Sequence, residues 1–415
     1  MTARPPRIVP HKGLSHSLHF EGLSGPVVLH DAPEVIEGLR QVLRVWPVIH
    51  APMGRNDSKR AVSRVLRQGT SFKISSPWLD EPLTGLPAAS AVCGVVADLA
   101  QTFYHEQPEA LALHCGAFLI NGRLVAMTGH ARAGKSTFMA RLTAEPDLSI
   151  LCDDVLPLLA DNRAMGLGIA PRLRFPLPAN ASEAFHSHVA RHCMVRDDRY
   201  GYVSAPGVAP FGTRAPLSVL VVLEREAATE AKLHHLPPAE AVHHLLAQNM
   251  APIAPALFDA TMERLLRLAE GLICVKLVYS DLEPAVSLVR AAFGAEMLPD
   301  PSVEILHPRA GPPAEADANV VPIEANAVVR RMNGIGMRRV RDEVFLWHAT
   351  SGAVCHLNPV AGAIWRLLEK AATAAEIASL LAEGFDLPDS DGVTADVCQF
   401  LSELAASDMV TPVSC

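Results

Sequence analysis

The chain has no run of 18 apolar residues, which argues against a membrane span. Its first twenty residues, MTARPPRIVPHKGLSHSLHF, contain no apolar h-region, so no secretory signal is expected there. No block of lysine and arginine occurs and the net charge is −8, which excludes a nonspecific grip on nucleic acid or on an anionic membrane. The eight cysteines are scattered, and none forms a C-x-x-C pair. They read as reduced core thiols of a cytoplasmic protein, not as a disulfide frame or a zinc knuckle. Internal repeats are also missing.

What is present is core-forming material: 415 residues, 49% of them hydrophobic, enough for two or three domains. Residues 1–105 mix short strand-like runs, GPVVLH and TSFKIS, with helical ones, EVIEGLRQVLRVW and VCGVVADLAQTFYH. This is the pattern of an N-terminal α/β cap. Residues 106–300 alternate apolar strands with helices, as an α/β core does. Residues 301–325 are rich in Pro, Ala and acid without periodicity and read as a linker. A final module occupies 326–415.

The most specific stretch is GHARAGKST, from Gly129 to Thr137, which fits G-x-x-x-x-G-K-[ST]. Before it, AFLINGRLVAMTG reads as a β-hairpin turning at Asn121-Gly122; after it, STFMARLTA is helical. Strand, loop and helix are the context the motif requires. Gly129, His130, Ala131, Arg132, Ala133 and Gly134 would turn backbone N–H groups onto phosphate oxygens at a positive helix end. Lys135 would reach the outer phosphates, and the Ser136 hydroxyl, followed by Thr137, would ligate Mg²⁺.

Eighteen residues after Lys135, the strand LSILC runs into Asp153-Asp154. Adjacent carboxylates on a strand point to opposite faces unless the chain bends, so the two are expected to divide two roles. One can approach the metal on Ser136; the other can face an acceptor hydroxyl and take its proton. Arg172 and Arg174 in PRLRFP, and Arg214 in FGTRAPLS, are candidates to neutralise phosphate charge.

The run from LALHCGAFLINGRLVAMTGHARAGKST to LCDDV resembles the catalytic domain of the HPr serine kinase/phosphorylase family, which shares its P-loop with phosphoenolpyruvate carboxykinases. The resemblance implies that Gly129, Gly134, Lys135, Ser136 and Thr137 bind ATP and Mg²⁺. It also implies Asp153 as the base activating a serine hydroxyl, Asp154 near the metal, and His114 beside the transferred phosphate. Of the family's later Glu-x-Arg-Gly-x-Gly-Ile signature only GLGI, Gly166 to Ile169, has a counterpart, and the Glu is missing.

From Arg338 the chain offers a strand pair, VFLWHA and AVCHLN, joined at Ser351-Gly352, then three helices. Pro359 opens the first, and Thr373 with Glu376 forms a capping box on the second. This module resembles the PqqD family, and is winged-helix-like. The resemblance implies that residues 330–413 bind the leader of a ribosomally made precursor peptide by strand addition and present it to a modifying enzyme. The whole is expected to be an ATP-dependent kinase that phosphorylates a Ser or Thr of that peptide. Two alternatives are a nucleotide-gated peptide carrier without phosphoryl transfer, and a serine kinase of a folded carrier protein.

Overall fold

A computed structural model describes residues 15–250, 253–295, 322–385 and 390–413. Most of the expected linker lies outside them. The chain forms two compact units. The first joins Met1–Leu236, His244–Ala251 and Ile273–Glu304; the second joins Pro237–His243, Pro252–Leu272 and Ile305–Cys415.

The first unit holds two large sheets. The N-terminal sheet has six strands in the order Val48–Pro52, Ser15–Phe20, Val27–His30, Ser63–Gln68, Ser71–Ser75, Leu83–Leu86. The expected strands GPVVLH and TSFKIS are two of them. Helices Pro33–Val42 and Ala88–Glu106 contribute to its core: Val35, Ile36 and Leu39 from one, Val92, Val95 and Leu99 from the other, all at most 1% exposed. That core runs on without a break into Ala112, Met165, Leu167 and Tyr202. Residues on both sides of position 105 therefore share one core within one unit.

The second sheet has nine strands. Its centre is three parallel strands, Arg123–Gly129, Arg214–Arg225 and Ile273–Tyr279, flanked by the antiparallel strands Gly116–Ile120 and Leu148–Cys152. These strands read as continuous apolar runs because both faces are covered. Phe118, Val125, Met127, Val219, Val221 and Leu277 are completely buried against helices Lys135–Leu142 and Leu282–Gly294. The Asn121-Gly122 turn forms as expected, with φ of +47° and +74°, the left-handed pair that a two-residue hairpin needs.

In the second unit the expected strand pair gains a third member: Ile335–Val340, Glu343–His348 and Ala353–Leu357 form one antiparallel sheet. Gly336 sits where a Cβ would lie 2.1 Å from the Trp347 ring, so only glycine leaves room for the indole. Three helices follow at Pro359–Leu367, Ala374–Phe385 and Ser390–Ala406. The Asn358 side chain caps the first by accepting from the Ala361 N–H at 2.9 Å. A second small sheet, Val328–Arg331 with Ala372–Thr373 and Val410–Pro412, ties the two ends of the module together. Trp365 is buried at the core, with the Arg331 guanidinium 4.4 Å over its ring.

Helix Pro255–Gly271 belongs to this unit, although the sequence places it inside the central segment. Its acidic residues explain why. Asp259 accepts from the Trp347 indole N–H at 2.7 Å, and Glu263 and Glu270 accept from Arg338 at 2.7 and 2.9 Å. The two glutamates are seven residues apart, hence on one helix face.

The capping box is in place: the Glu376 N–H donates to the Thr373 hydroxyl at 3.2 Å, and the Thr373 N–H donates to the Glu376 carboxylate at 2.8 Å. Thr373→Ala is expected to lower stability by about 1 kcal/mol, read as a shift of the denaturant midpoint at unchanged slope. An unchanged midpoint would show that the cap contributes nothing.

Candidate active site

The site is built at the carboxyl ends of the central strands. The strand Arg123–Gly129 ends in the loop, and helix Lys135–Leu142 starts directly after it. Both motif glycines are required by geometry. Gly134 has φ +96°, a left-handed value, and a Cβ there would lie 2.5 Å from the Tyr279 hydroxyl oxygen. At Gly129, with φ +148°, a Cβ would lie 2.6 Å from the Leu223 carbonyl oxygen. Arg132 also takes a positive φ, +68°. The Tyr279 hydroxyl donates to the Ala133 carbonyl at 2.7 Å and so holds the loop from the end of the next strand but one in the sheet. Nothing in the sequence around Tyr279 marks it; only the parallel pairing of its strand brings it beneath the loop.

Lys135 is 8% exposed. Its ammonium donates to the loop's own carbonyls, Gly129 at 2.8 Å and His130 at 3.4 Å. Burial lowers its pKa, while Asp154, Cys115 and Asp153 oppose the shift. Ser136 and Thr137 lie in the first helical turn and are half-buried. His130, Ala131 and Arg132 are exposed.

The strand Leu148–Cys152 ends directly before the paired aspartates, and the chain bends at them. The bend removes the strand alternation, so both carboxylates serve one locus with different surroundings. Asp153 is 7% exposed. Its Oδ2 accepts from the Arg172 backbone N–H at 2.9 Å, and its Oδ1 has no hydrogen-bond partner. Burial pushes its pKa up to about 6; the Arg172 backbone bond pulls the other way, Asp154 adds to the rise, and the nearby Ser136 hydroxyl lowers it. Asp154 is exposed. Its Oδ1 lies 3.2 Å from His114 Nε2 and its Oδ2 lies 3.7 Å from Arg172 Nη2. The hydrogen bond from His114 holds its pKa below the usual carboxylate value, against desolvation and with help from Arg172. The carboxylate beside Ser136 is therefore Asp153, and the one paired with His114 is Asp154.

His114 is not on a strand. Leu111–Leu113 ends before it and Gly116–Ile120 begins after it, and its N–H donates to the Gln248 carbonyl at 2.7 Å. Arg172 and Arg174 stand two residues apart on the strand Arg172–Arg174, both with guanidinium groups over the Tyr200 ring, at 5.3 and 5.6 Å. Arg172 joins the cluster through Asp154; Arg174 is exposed and is held by no bond to either aspartate. Arg214 opens its strand, whereas the loop pairs with that strand at Leu223. Nine residues of strand at ~3.3 Å each put Arg214 about 30 Å from the loop. Arg225, at the other end of that strand, lines a small cleft with Gly134, Thr137 and Tyr279.

The donor set fits a phosphate with a hard cation. Two glycine positions leave backbone room, an ammonium is buried at the loop, and the buried Asp153 carboxylate lies near the Ser136 hydroxyl. A magnesium ion commonly takes only one or two protein carboxylates and completes its shell with phosphate and water. Among the described residues no cluster of three or more His, Cys, Asp or Glu could hold a metal by itself.

Comparisons with known proteins give one located family match and three solved structures. Residues 343–410 match the family "Coenzyme PQQ synthesis protein D (PqqD)". TbiB1 in complex with the TbiA(beta) leader peptide is 26% identical, over 21% of this chain and 99% of that chain, with a TM-score of 0.19. The PqqD truncation of PqqCD from Methylobacterium extorquens, a stand-alone recognition element for ribosomally synthesised and modified peptides, is 24% identical over 21% and 94%, with a TM-score of 0.20. The Hpr(Ser) kinase/phosphatase from Coxiella burnetii is 15% identical over 43% and 88%, with a TM-score of 0.22. No curated protein matches the sequence.

The perturbed carboxyl predicts a pH dependence. The folded state raises the Asp153 pKa from 3.8 to about 6. Its neutral form is the favoured one, so its stabilising contribution is complete below the unfolded pKa and is lost as pH rises through the folded one. In nucleotide-free protein, Asp153→Asn is expected to gain stability relative to the native chain between pH 4 and 6.5, reaching about 1–3 kcal/mol, and to stay level above that. Melting curves across this range check it; a pH-independent difference would mean the carboxyl is not perturbed. The mixed α/β chain thus carries a PqqD-like module at residues 343–410 in one unit and, in the other, a glycine-bounded strand-to-helix loop with a buried lysine beside two aspartates.

Proposed function

We propose that the chain is an ATP-dependent kinase. It transfers the γ-phosphate to a Ser or Thr hydroxyl of a ribosomally made precursor peptide, whose leader docks on residues 330–413. The observation that carries this reading is one cluster, Lys135, Ser136, Asp153, Asp154, His114 and Arg172, at the mouth of a phosphate loop in a chain that also holds a PqqD-like module. The same module type appears in TbiB1 with a bound leader peptide. Tethering a docked peptide raises its local concentration to roughly millimolar.

The roles follow from the surroundings of each group. Backbone N–H groups from Gly129 to Ser136 and the Lys135 ammonium bind the outer phosphates; to do so Lys135 exchanges its bonds to Gly129 and His130 for bonds to the nucleotide. Ser136 and the free Asp153 Oδ1 would hold Mg²⁺, which when bound neutralises charge on the phosphates. Asp154 is exposed and aimed by His114 and Arg172, so it orients the acceptor hydroxyl. As the acceptor oxygen bonds to phosphorus, the bond to the bridging oxygen breaks and ADP leaves; the acceptor proton passes to Asp154. A loose transition state asks the base chiefly to position the hydroxyl, so a carboxylate of lowered pKa suffices. The Arg172 guanidinium, buttressed by the Tyr200 ring, faces the same locus. Scattered cysteines without disulfides among the described residues suit a cytoplasmic setting.

The test is label transfer from γ-labelled ATP with Mg²⁺ to the peptide encoded beside the gene. Lys135→Ala and Asp154→Asn are each expected to reduce transfer about 10³-fold. Excess free leader peptide is expected to compete transfer away. Transfer that withstands both substitutions, or nucleotide binding that alters peptide affinity without any transfer, defeats the kinase reading and favours a nucleotide-gated carrier. Competition tests docking in the intact chain, whereas removing residues 326–415 would strip helix Pro255–Gly271 of its partners Trp347 and Arg338.

A further inference from the structure

A cavity of about 230 Å³ lies under the paired aspartates. One wall is the N-terminal helix Ala88–Glu106, where small residues at Cys93, Ala97 and Ala100 leave the space. These positions fall on neighbouring turns of one helix side. Val96, Leu151, Val155, Leu167 and Met250 complete an apolar lining. The polar end is made by Asp153, Asp154 and Arg172. The Arg172 Nη1 also donates to Cys93 Sγ at 2.7 Å, which fixes the guanidinium across the cavity. Beyond Asp153, assigned to the metal, one polar atom of the lining is buried and unpartnered: the Tyr104 hydroxyl, on a residue 9% exposed. Buried polar atoms without partners are uncommon and mark places where a ligand or water completes the set.

The chemistry of such a space is an apolar body with a polar group at one end. A dry cavity of about 150 Å³ already accommodates benzene, so this one has room for one large side chain and the adjoining backbone. The polar end includes Asp154, the carboxylate assigned to the acceptor hydroxyl, next to Asp153, assigned to the metal. We propose that the cavity receives the apolar side chain next to the phosphorylated residue, so that the acceptor is a Ser or Thr beside a Leu-, Met- or Phe-like residue. The N-terminal helix is then part of the acceptor site, supplying its floor. The proposal rests on the phosphoryl-transfer reading for the identity of the hydroxyl, but the pocket can be tested by binding alone.

Isothermal titration of the full chain, loaded with ADP and Mg²⁺, compares acetyl-Leu-Ser-Leu-amide with acetyl-Gly-Ser-Gly-amide. Burying one Leu side chain is expected to favour the first at least tenfold, about 1.4 kcal/mol. Ala97→Phe, which fills the cavity from the helix side, is expected to cut the preference below about twofold while ADP affinity stays unchanged. Ala100→Leu repeats the test from the next turn should the first variant fold poorly, as judged by its melting curve. Equal binding of the two peptides, or a Leu preference that survives both fillings, overturns the proposal. Leucinol binding tenfold tighter than the Leu peptide also overturns it, since the site would then take a free amino alcohol. The same samples with γ-labelled ATP separate the two claims: Leu-selective binding without label transfer sinks the kinase and leaves the pocket standing.

Discussion

The site depends on one backbone constraint, the left-handed turn at Gly134. That residue takes φ +96° hard against the Tyr279 hydroxyl, which in turn donates to the Ala133 carbonyl. A side chain at Gly134 would displace the tyrosine; without the tyrosine the loop carbonyl would lose its partner. The loop ahead of the helix beginning at Lys135 therefore keeps its turn because a parallel strand two places across the sheet ends at that height. Strand pairing and loop conformation are one arrangement.

Around that anchor, a single bend separates two chemically identical side chains. Asp153 turns inward, is desolvated and holds its proton up to about 6. Asp154 turns outward and is kept ionised by His114 and Arg172. Two adjacent carboxylates that both ionised in a dry pocket would repel one another. Giving one a neutral-leaning burial and the other two cationic or donating partners resolves the conflict. Arg172 takes part in both halves, offering its backbone N–H to one aspartate and its guanidinium to the other.

Much of this was legible in the chain. The phosphate loop, the Asn121-Gly122 hairpin and the strand leading to the aspartates follow from glycine placement and apolar period, which are local properties. The C-terminal helices were marked by Pro359 and by the Thr373–Glu376 box for the same reason. Other features were hidden because their partners are distant in sequence. Tyr279 lies 146 residues from the carbonyl it holds. Helix Pro255–Gly271 has ordinary amphipathic spacing, and nothing local says that its acids meet Trp347 and Arg338. Arg214 and Arg172 look alike as sequence, yet strand length carries one far from the loop and places the other against Asp154.

The sequence by itself determined where a phosphate could be cradled and which residue types stand near it, because a P-loop is a run of contiguous backbone. It also determined the C-terminal module, whose caps and periodic apolar faces are local. Tertiary structure alone decided which aspartate is buried, which arginine reaches the site, and that a helix from the first hundred residues forms a wall beneath the carboxylates. Those outcomes depend on desolvation and on long-range packing. Both are set by what surrounds a side chain in space, not by its neighbours along the chain.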